Sequence, residues 1–244
     1  MEATGAIEER VRFRSDGLEL EGILAYPGED EPTSRWLLLA PHPHMGGRMD
    51  NNVIRHLARR AAETGCATLR FNYRGVGASD IQLAAGESLY DHWGEMERTQ
   101  RYEELLPDAR AAAGFLASQA PSARRNVVIG YSLGAILAGM TAAHERFTHL
   151  VAIAPPVARV SLEVLHDLTL PKLSVCGDRD AFCPPAVFAG EFERVPEPKQ
   201  VRLLEGCDHF FRGREEAIFE EVSGWLDHAR QGVSSSGAGR FSST

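Results

Sequence analysis

Paired cysteines, an excess of basic residues and long apolar runs are all missing from this chain. The four cysteines, Cys66, Cys176, Cys183 and Cys207, are scattered through 244 residues with no C-x-x-C pair and no close Cys/His spacing. That excludes a disulfide framework and a cysteine zinc site, and the four read as free thiols filling small apolar spaces in a cytoplasmic protein. The formal charge is −8 and the pI about 5.6, so no nucleic-acid partner is expected, because that needs a basic face. No run approaches a membrane-spanning length, and the first ten residues hold no apolar core of a signal peptide. The expectation is a protein without membrane contact. What is present is ordinary for a globular domain: 43% hydrophobic and 25% charged residues. A chain of this length buries roughly 70–75% of its unfolded surface.

The pattern alternates strands and helices. Residues 8–27 read as an antiparallel ribbon turning at Ser15-Asp16-Gly17. Trp36-Leu-Leu-Leu-Ala40 is a continuous apolar strand, followed by Pro41-His-Pro-His-Met-Gly-Gly47 and a helix to about Thr64 that Asp50 or Asn51 caps. Strands are also expected over 67–73, 127–129, 149–154, 172–176 and 200–204, and helices over about 107–118, 135–144, 185–194 and 215–228, with one short helix over 161–168. Residues 80–96 read as irregular, and the stretch 80–106 as either a partial lid lined by Leu83, Leu89, Tyr90, Trp93 and Met96 or an ordinary long crossover. Residues 231–244 are Ser/Gly-rich and read as a disordered tail after a single domain over 1–230. Such an order of elements specifies an α/β fold: a mostly parallel central sheet, helices on both faces and an N-terminal antiparallel ribbon. Ligands of parallel sheets sit at the carboxyl ends of the strands.

One stretch carries the chemistry. The apolar run Val127-Val128-Ile129 leads into Gly130-Tyr131-Ser132-Leu133-Gly134, a G-x-S-x-G pattern, and a helix-compatible run follows. The pattern alone arises by chance in roughly one chain in ten of this size. It would also suit a phosphate-binding turn. Strand, tight turn and helix together make it a nucleophile elbow, in which glycines avoid Cβ clashes on either side of an exposed serine. A serine nucleophile needs a base and an orienting acid. Of nine histidines, His209 follows a strand in a loop ahead of the last helix, whereas His56, His144, His149, His166 and His228 fall on helix or strand positions. Asp180, in the loop after the preceding strand, is taken as the acid. Asp178 is taken to brace that turn through its own backbone, and Asp208 adjoins His209 too closely to reach its ring.

The order Ser132, Asp180, His209 is that of the α/β-hydrolase triad. With Pro41-His-Pro-His-Met-Gly-Gly47, Asn72-Tyr-Arg-Gly-Val-Gly-Ala-Ser79 and Gly177-Asp-Arg-Asp180, the chain resembles the α/β-hydrolase superfamily over residues 8–230, and within it small bacterial dienelactone-hydrolase-like and esterase-like members. The resemblance implies Ser132, Asp180 and His209 as a catalytic triad. It also implies an oxyanion hole from the Leu133 N–H and an N–H of the 42–47 loop. Pro43 has no N–H, and His44 is preferred to Met45 by its place two residues after the leading histidine. Met45, Trp93, Tyr131 and Phe182 are the expected substrate-lining residues. The expected activity is hydrolysis of a small-molecule carboxylic ester or thioester, free or carrier-bound, through an acyl-enzyme. Serine replaces the cysteine of dienelactone hydrolases proper. The alternatives are an acyltransferase, cyclase or eliminase on the same triad, and a non-catalytic binding scaffold. The span 155–171 is too short for a lid domain. His42 and His44 form H-x-H without a nearby carboxylate in sequence, and Gly75-Val-Gly77 lacks the third glycine of a dinucleotide turn. Neither a metal nor an organic cofactor is expected.

Overall fold

Among the described residues eight strands form one sheet in the order β1-β2-β4-β3-β5-β6-β7-β8. The computed structural model describes residues 5–28 and 30–230; the tail expected to be disordered, 231–244, lies outside the described residues. Strands β1 (Ile7–Ser15) and β2 (Leu18–Tyr26) form the antiparallel ribbon, turning at Asp16-Gly17, and β2 also runs antiparallel to β4 (Cys66–Phe71). The remaining strands, β3 (Ser34–Leu39), β5 (Arg125–Tyr131), β6 (His149–Ile153), β7 (Lys172–Gly177) and β8 (Lys199–Leu204), pair in parallel. Strands buried on both faces read as near-continuous apolar runs. Leu37, Leu38, Leu39, Val127, Val128 and Ile129 accordingly have no exposed surface. Among the described residues six helices connect and cover the sheet: α1 (Asn52–Glu63), α2 (Leu89–Thr99), α3 (Leu106–Gln119), α4 (Leu133–His144), α5 (Pro185–Glu193) and α6 (Glu215–Arg230). Asn51 caps α1 through its side-chain oxygen. No helix among the described residues is long and apolar enough to cross a membrane.

Register places the chemistry. Leu39 lies opposite Gly130, Tyr131 opposite Ile153 and Gly177 opposite Leu204, so β3, β5, β6, β7 and β8 end near one level. The loops that follow them share one rim. The chain leaves β3 toward β4 on one side and returns to β5 on the other. The crevice between β3 and β5 is therefore the topological switch point, where such sheets bind ligands.

Two segments differ from the sequence reading. Residues 80–96 are not irregular throughout, because α2 begins at Leu89. Ser88 caps it, its Oγ accepting from the Asp91 N–H at 3.1 Å, while Trp93 and Met96 are buried. A serine followed three residues later by an acid is a helix-start signal that the glycine and charges of this stretch mask. Residues 161–168 form no helix beyond the single 3-10 turn Glu163–Leu165. Val164 and Leu165 press into the notch that Gly139 leaves on α4, which fixes a tight turn there.

The loop after β4 is tied down electrostatically. Asp108, fully buried in the first turn of α3, accepts from Arg74 Nε at 3.0 Å and Nη2 at 2.7 Å, from the Arg74 N–H at 3.0 Å and from Ser15 Oγ at 2.7 Å. One carboxylate thus joins the ribbon turn, the β4 loop and α3. The Gly75-Val-Gly77 turn belongs to this scaffold: a Cβ on Gly77, at φ +61°, would overlap the Glu21 carboxylate. Removing one partner of a buried pair strands the other charge, which costs about 3–5 kcal/mol. Asp108→Ala is expected to lower stability by that amount in urea unfolding. An unchanged midpoint would mean that this junction does not hold the fold.

Candidate active site

The elbow is built by steric exclusion. A Cβ on Gly130 would overlap the Gly134 carbonyl, and one on Gly134 would overlap the Leu39 carbonyl. The start of α4 therefore comes hard against the ends of β3 and β5. The turn forces Ser132 to φ 56°, ψ −118°, a region non-glycine residues avoid at a cost of about 1–3 kcal/mol. A hydrogen bond from the Ser132 N–H to the Ile153 carbonyl, 2.9 Å, holds it there.

The structure brings Ser132, Asp180 and His209 together. His209 Nε2 lies 3.1 Å from Ser132 Oγ, and His209 Nδ1 lies 2.8 Å from Asp180 Oδ2. Ser132 is 8% exposed and His209 6%. Asp180 is immobilised through its other oxygen, which accepts from the Phe182 and Cys183 N–H groups at 2.8 Å each. The turn-bracing expected of Asp178 is thus performed by Asp180, while Asp178 Oδ1 is buried with no hydrogen-bond partner. Asp208 braces its own turn by accepting from the Phe210 N–H at 2.9 Å. The remaining histidines have other neighbours: His56 pairs with Glu216 at 2.7 Å, and His149 packs edge-on to Trp225. Burial pushes the His149 imidazole down to about 4.

Of the two amides assigned to an oxyanion hole, that of Leu133 heads α4 and makes no hydrogen bond among the described residues, as first-turn amides do. That of His44 differs from expectation. Its N–H donates to His42 Nδ1 at 3.2 Å, because Pro43–Met45 form a 3-10 turn with His42 as its cap. The neighbouring amides are also engaged: Met45 N–H to the His42 carbonyl at 2.8 Å, Gly46 N–H to the Pro43 carbonyl at 3.1 Å and Gly47 N–H to the His42 carbonyl at 3.0 Å. The His44 bond is the longest of the four, and an imidazole nitrogen is a weaker acceptor than an oxyanion.

The expected lining residues separate into two pairs. Met45 is exposed, and Phe182 packs against the His209 ring at 4.7 Å between centroids. Trp93 and Tyr131, each 2% exposed, offer no surface to a ligand. Trp93 lies behind the His42 ring, and the Tyr131 hydroxyl donates to the His209 carbonyl beneath the loop. Two aromatic residues were not foreseen in these roles. Phe210 stands edge-on to the His209 ring at 5.8 Å, and Tyr90, three-quarters exposed, stacks on His44 at 4.6 Å. Adjacency to His209 was the signal for Phe210; nothing local placed Tyr90 over His44. The thiols take no part. All four are buried; the Cys176 thiol, followed by burial, raises Cys183, and burial raises Cys207, so both stay protonated.

The alpha/beta hydrolase domain family matches residues 34–234. This chain belongs to that family. It is 26% identical to a solved alpha-beta serine hydrolase homologue from Coxiella burnetii, covering 89% of this chain and 97% of that one with a TM-score of 0.74. A solved putative alpha/beta hydrolase of unknown function from Agrobacterium tumefaciens is also 26% identical, covering 92% of this chain and 97% of that one with a TM-score of 0.76. An uncharacterised protein of Rickettsia prowazekii is 27% identical over 199 residues, 78% of this chain and 77% of its own. Family and neighbours identify a hydrolase with the alpha/beta hydrolase fold.

The bond beneath His209 is testable. Tyr131→Phe removes one buried hydrogen bond, and the His209 carbonyl loses its partner. A loss of about 1 kcal/mol is expected in urea unfolding; no change would show that the hydroxyl does not hold the loop.

Proposed function

We propose that the protein is a serine hydrolase of small carboxylic esters or thioesters, free or carrier-bound, acting through an acyl-enzyme. The observation that carries this reading is the continuous hydrogen-bonded line Ser132 Oγ–His209–Asp180 at 3.1 and 2.8 Å. In the reaction, His209 Nε2 takes the Ser132 proton as Oγ attacks the carbonyl carbon. Asp180 keeps the second imidazole proton on Nδ1 and stabilises the imidazolium. The negative charge formed on the carbonyl oxygen is met by the Leu133 N–H and by the His44 N–H, which exchanges its long bond to His42 for a charge-assisted one. The imidazolium then protonates the leaving alkoxide or thiolate. Water, deprotonated by the same histidine, releases the acid. Met45 and Phe182 supply apolar contact to the substrate. Helix α2, packed on the 43–45 turn with Trp93 buried, serves as a wall of the site, and the span 155–171 leaves the rim open to water, which favours hydrolysis over transfer. Four reduced thiols suit a reducing compartment, and the reaction is assigned to the cytoplasm.

Labelling with a fluorophosphonate probe and turnover of p-nitrophenyl esters from acetate to decanoate test this. Labelling is expected in the wild type and lost in Ser132→Ala and His209→Ala. Asp180→Asn, which leaves the imidazole in the wrong tautomer, is expected to reduce kcat by about 10⁴. Labelling without turnover would favour acyl transfer, cyclisation or elimination, and no labelling would overturn the activated serine.

A further inference from the structure

Outside Ser132, Asp180 and His209, one cluster of ligating side chains stands out. His42, His44 and Glu97 present ligand atoms that all lie within 4.8 Å of one another. The sequence shows only H-x-H; the carboxylate arrives from α2, which the fold packs against the 43–45 turn. His42 is the anchor. Its ring is 6% exposed, and its Nε2 is buried with no hydrogen-bond partner, an uncompensated polar atom that is costly to keep from water. The ring is fixed edge-on between His44 at 5.2 Å and Trp93 at 5.5 Å. His44 is exposed and braced by the Tyr90 ring, and Glu97 is half-buried. One Glu97 oxygen holds Arg159 Nη1 at 2.6 Å. That is a solvent-exposed pair, weak enough to leave the carboxylate free to turn.

We propose that His42, His44 and Glu97 form a binding site for a divalent first-row transition ion of the zinc class. Two imidazoles and one carboxylate are a donor set that suits such ions and does not suit magnesium or calcium, which take oxygen ligands. Tetrahedral zinc with ligands at 2.0–2.2 Å needs them about 3.3–3.6 Å apart, so the site closes by roughly an ångström. The two solvent-facing members, His44 and Glu97, supply that movement toward the buried ring of His42. A fourth position stays open to water.

The site is coupled to the amide of His44. A neutral imidazole bound to metal through one nitrogen keeps its proton on the other. Whichever nitrogen of His42 takes the ion, Nδ1 ceases to accept from the His44 N–H. The ion therefore frees the amide that the hydrolase mechanism assigns to the oxyanion; this consequence alone rests on that mechanism.

Binding is measured without reference to activity. Chelator-treated full-length Ser132→Ala protein is titrated with Co²⁺, read by the visible bands of tetrahedral cobalt, and with Zn²⁺ in competition with a chromophoric chelator. One ion per chain is expected, with affinity at least tenfold weaker in His44→Gln and in Glu97→Gln. Neither side chain belongs to the buried core, and near-UV circular dichroism checks that the variants fold. No saturable binding, or binding unchanged in both variants, would overturn the site. In protein with Ser132 intact, Zn²⁺ is expected to raise kcat for p-nitrophenyl acetate, with no such rise in Glu97→Gln. Stoichiometric binding with kcat unchanged or lowered would overturn the coupling and leave the site standing.

Discussion

The close approach of three backbone segments at Gly130, Gly134 and Leu39 is the constraint from which the site follows. The start of α4 meets the ends of β3 and β5 with no room for a side chain. That contact sets the path of the chain through residue 132 and leaves Ser132 in a conformation only the surrounding packing sustains. Strain of this kind is sustained because the strands on either side are apolar and fully buried where they approach the turn, at Leu37–Leu39 of β3 and Val127–Ile129 of β5. A less rigid sheet would relax the turn and lower the serine toward the surface of the helix.

Around that fixed point the other groups are held by short, local bonds. Asp180 is gripped by two backbone amides of its own loop, His209 by Asp180 on one side and by the Tyr131 hydroxyl beneath. Tyr131 is itself part of the elbow, so the nucleophile turn and the histidine loop are mechanically one piece. The same economy appears at Asp108, where one carboxylate ties together three segments distant in sequence.

Much of this was legible in the residues. Strands buried on both faces announce themselves as unbroken apolar runs, and the order of Ser132, Asp180 and His209 after successive strands places them on one rim before any coordinates exist. The helix α2 was hidden by its glycine and its charges, and with it went the position of Glu97, which lies beside His42 only because α2 packs on the 43–45 turn. The occupied His44 amide was also out of reach, since it depends on which way one imidazole turns. Trp93 and Tyr131 were assigned to the cleft by their loop context, yet burial of large rings outweighed their position in the chain. Asp180 braces the loop as well as facing His209, in place of the bracing expected of Asp178, because two aspartates so near one another compete for the same amides and the sequence does not rank them.

The parallel register has a further consequence, because the strands also begin at one level: Ser34 lies opposite Arg125, Val127 opposite His149 and Lys172 opposite Lys199. The two rims of the sheet are therefore separate territories, joined by the strands and by crossover helices such as α1, α3 and α4. Loops on the far rim, such as those holding exposed Ser122 and Arg146, can be lengthened, fused or chemically tethered a full strand length away from Ser132. A support coupled there would hold the molecule with its cleft turned to the solution.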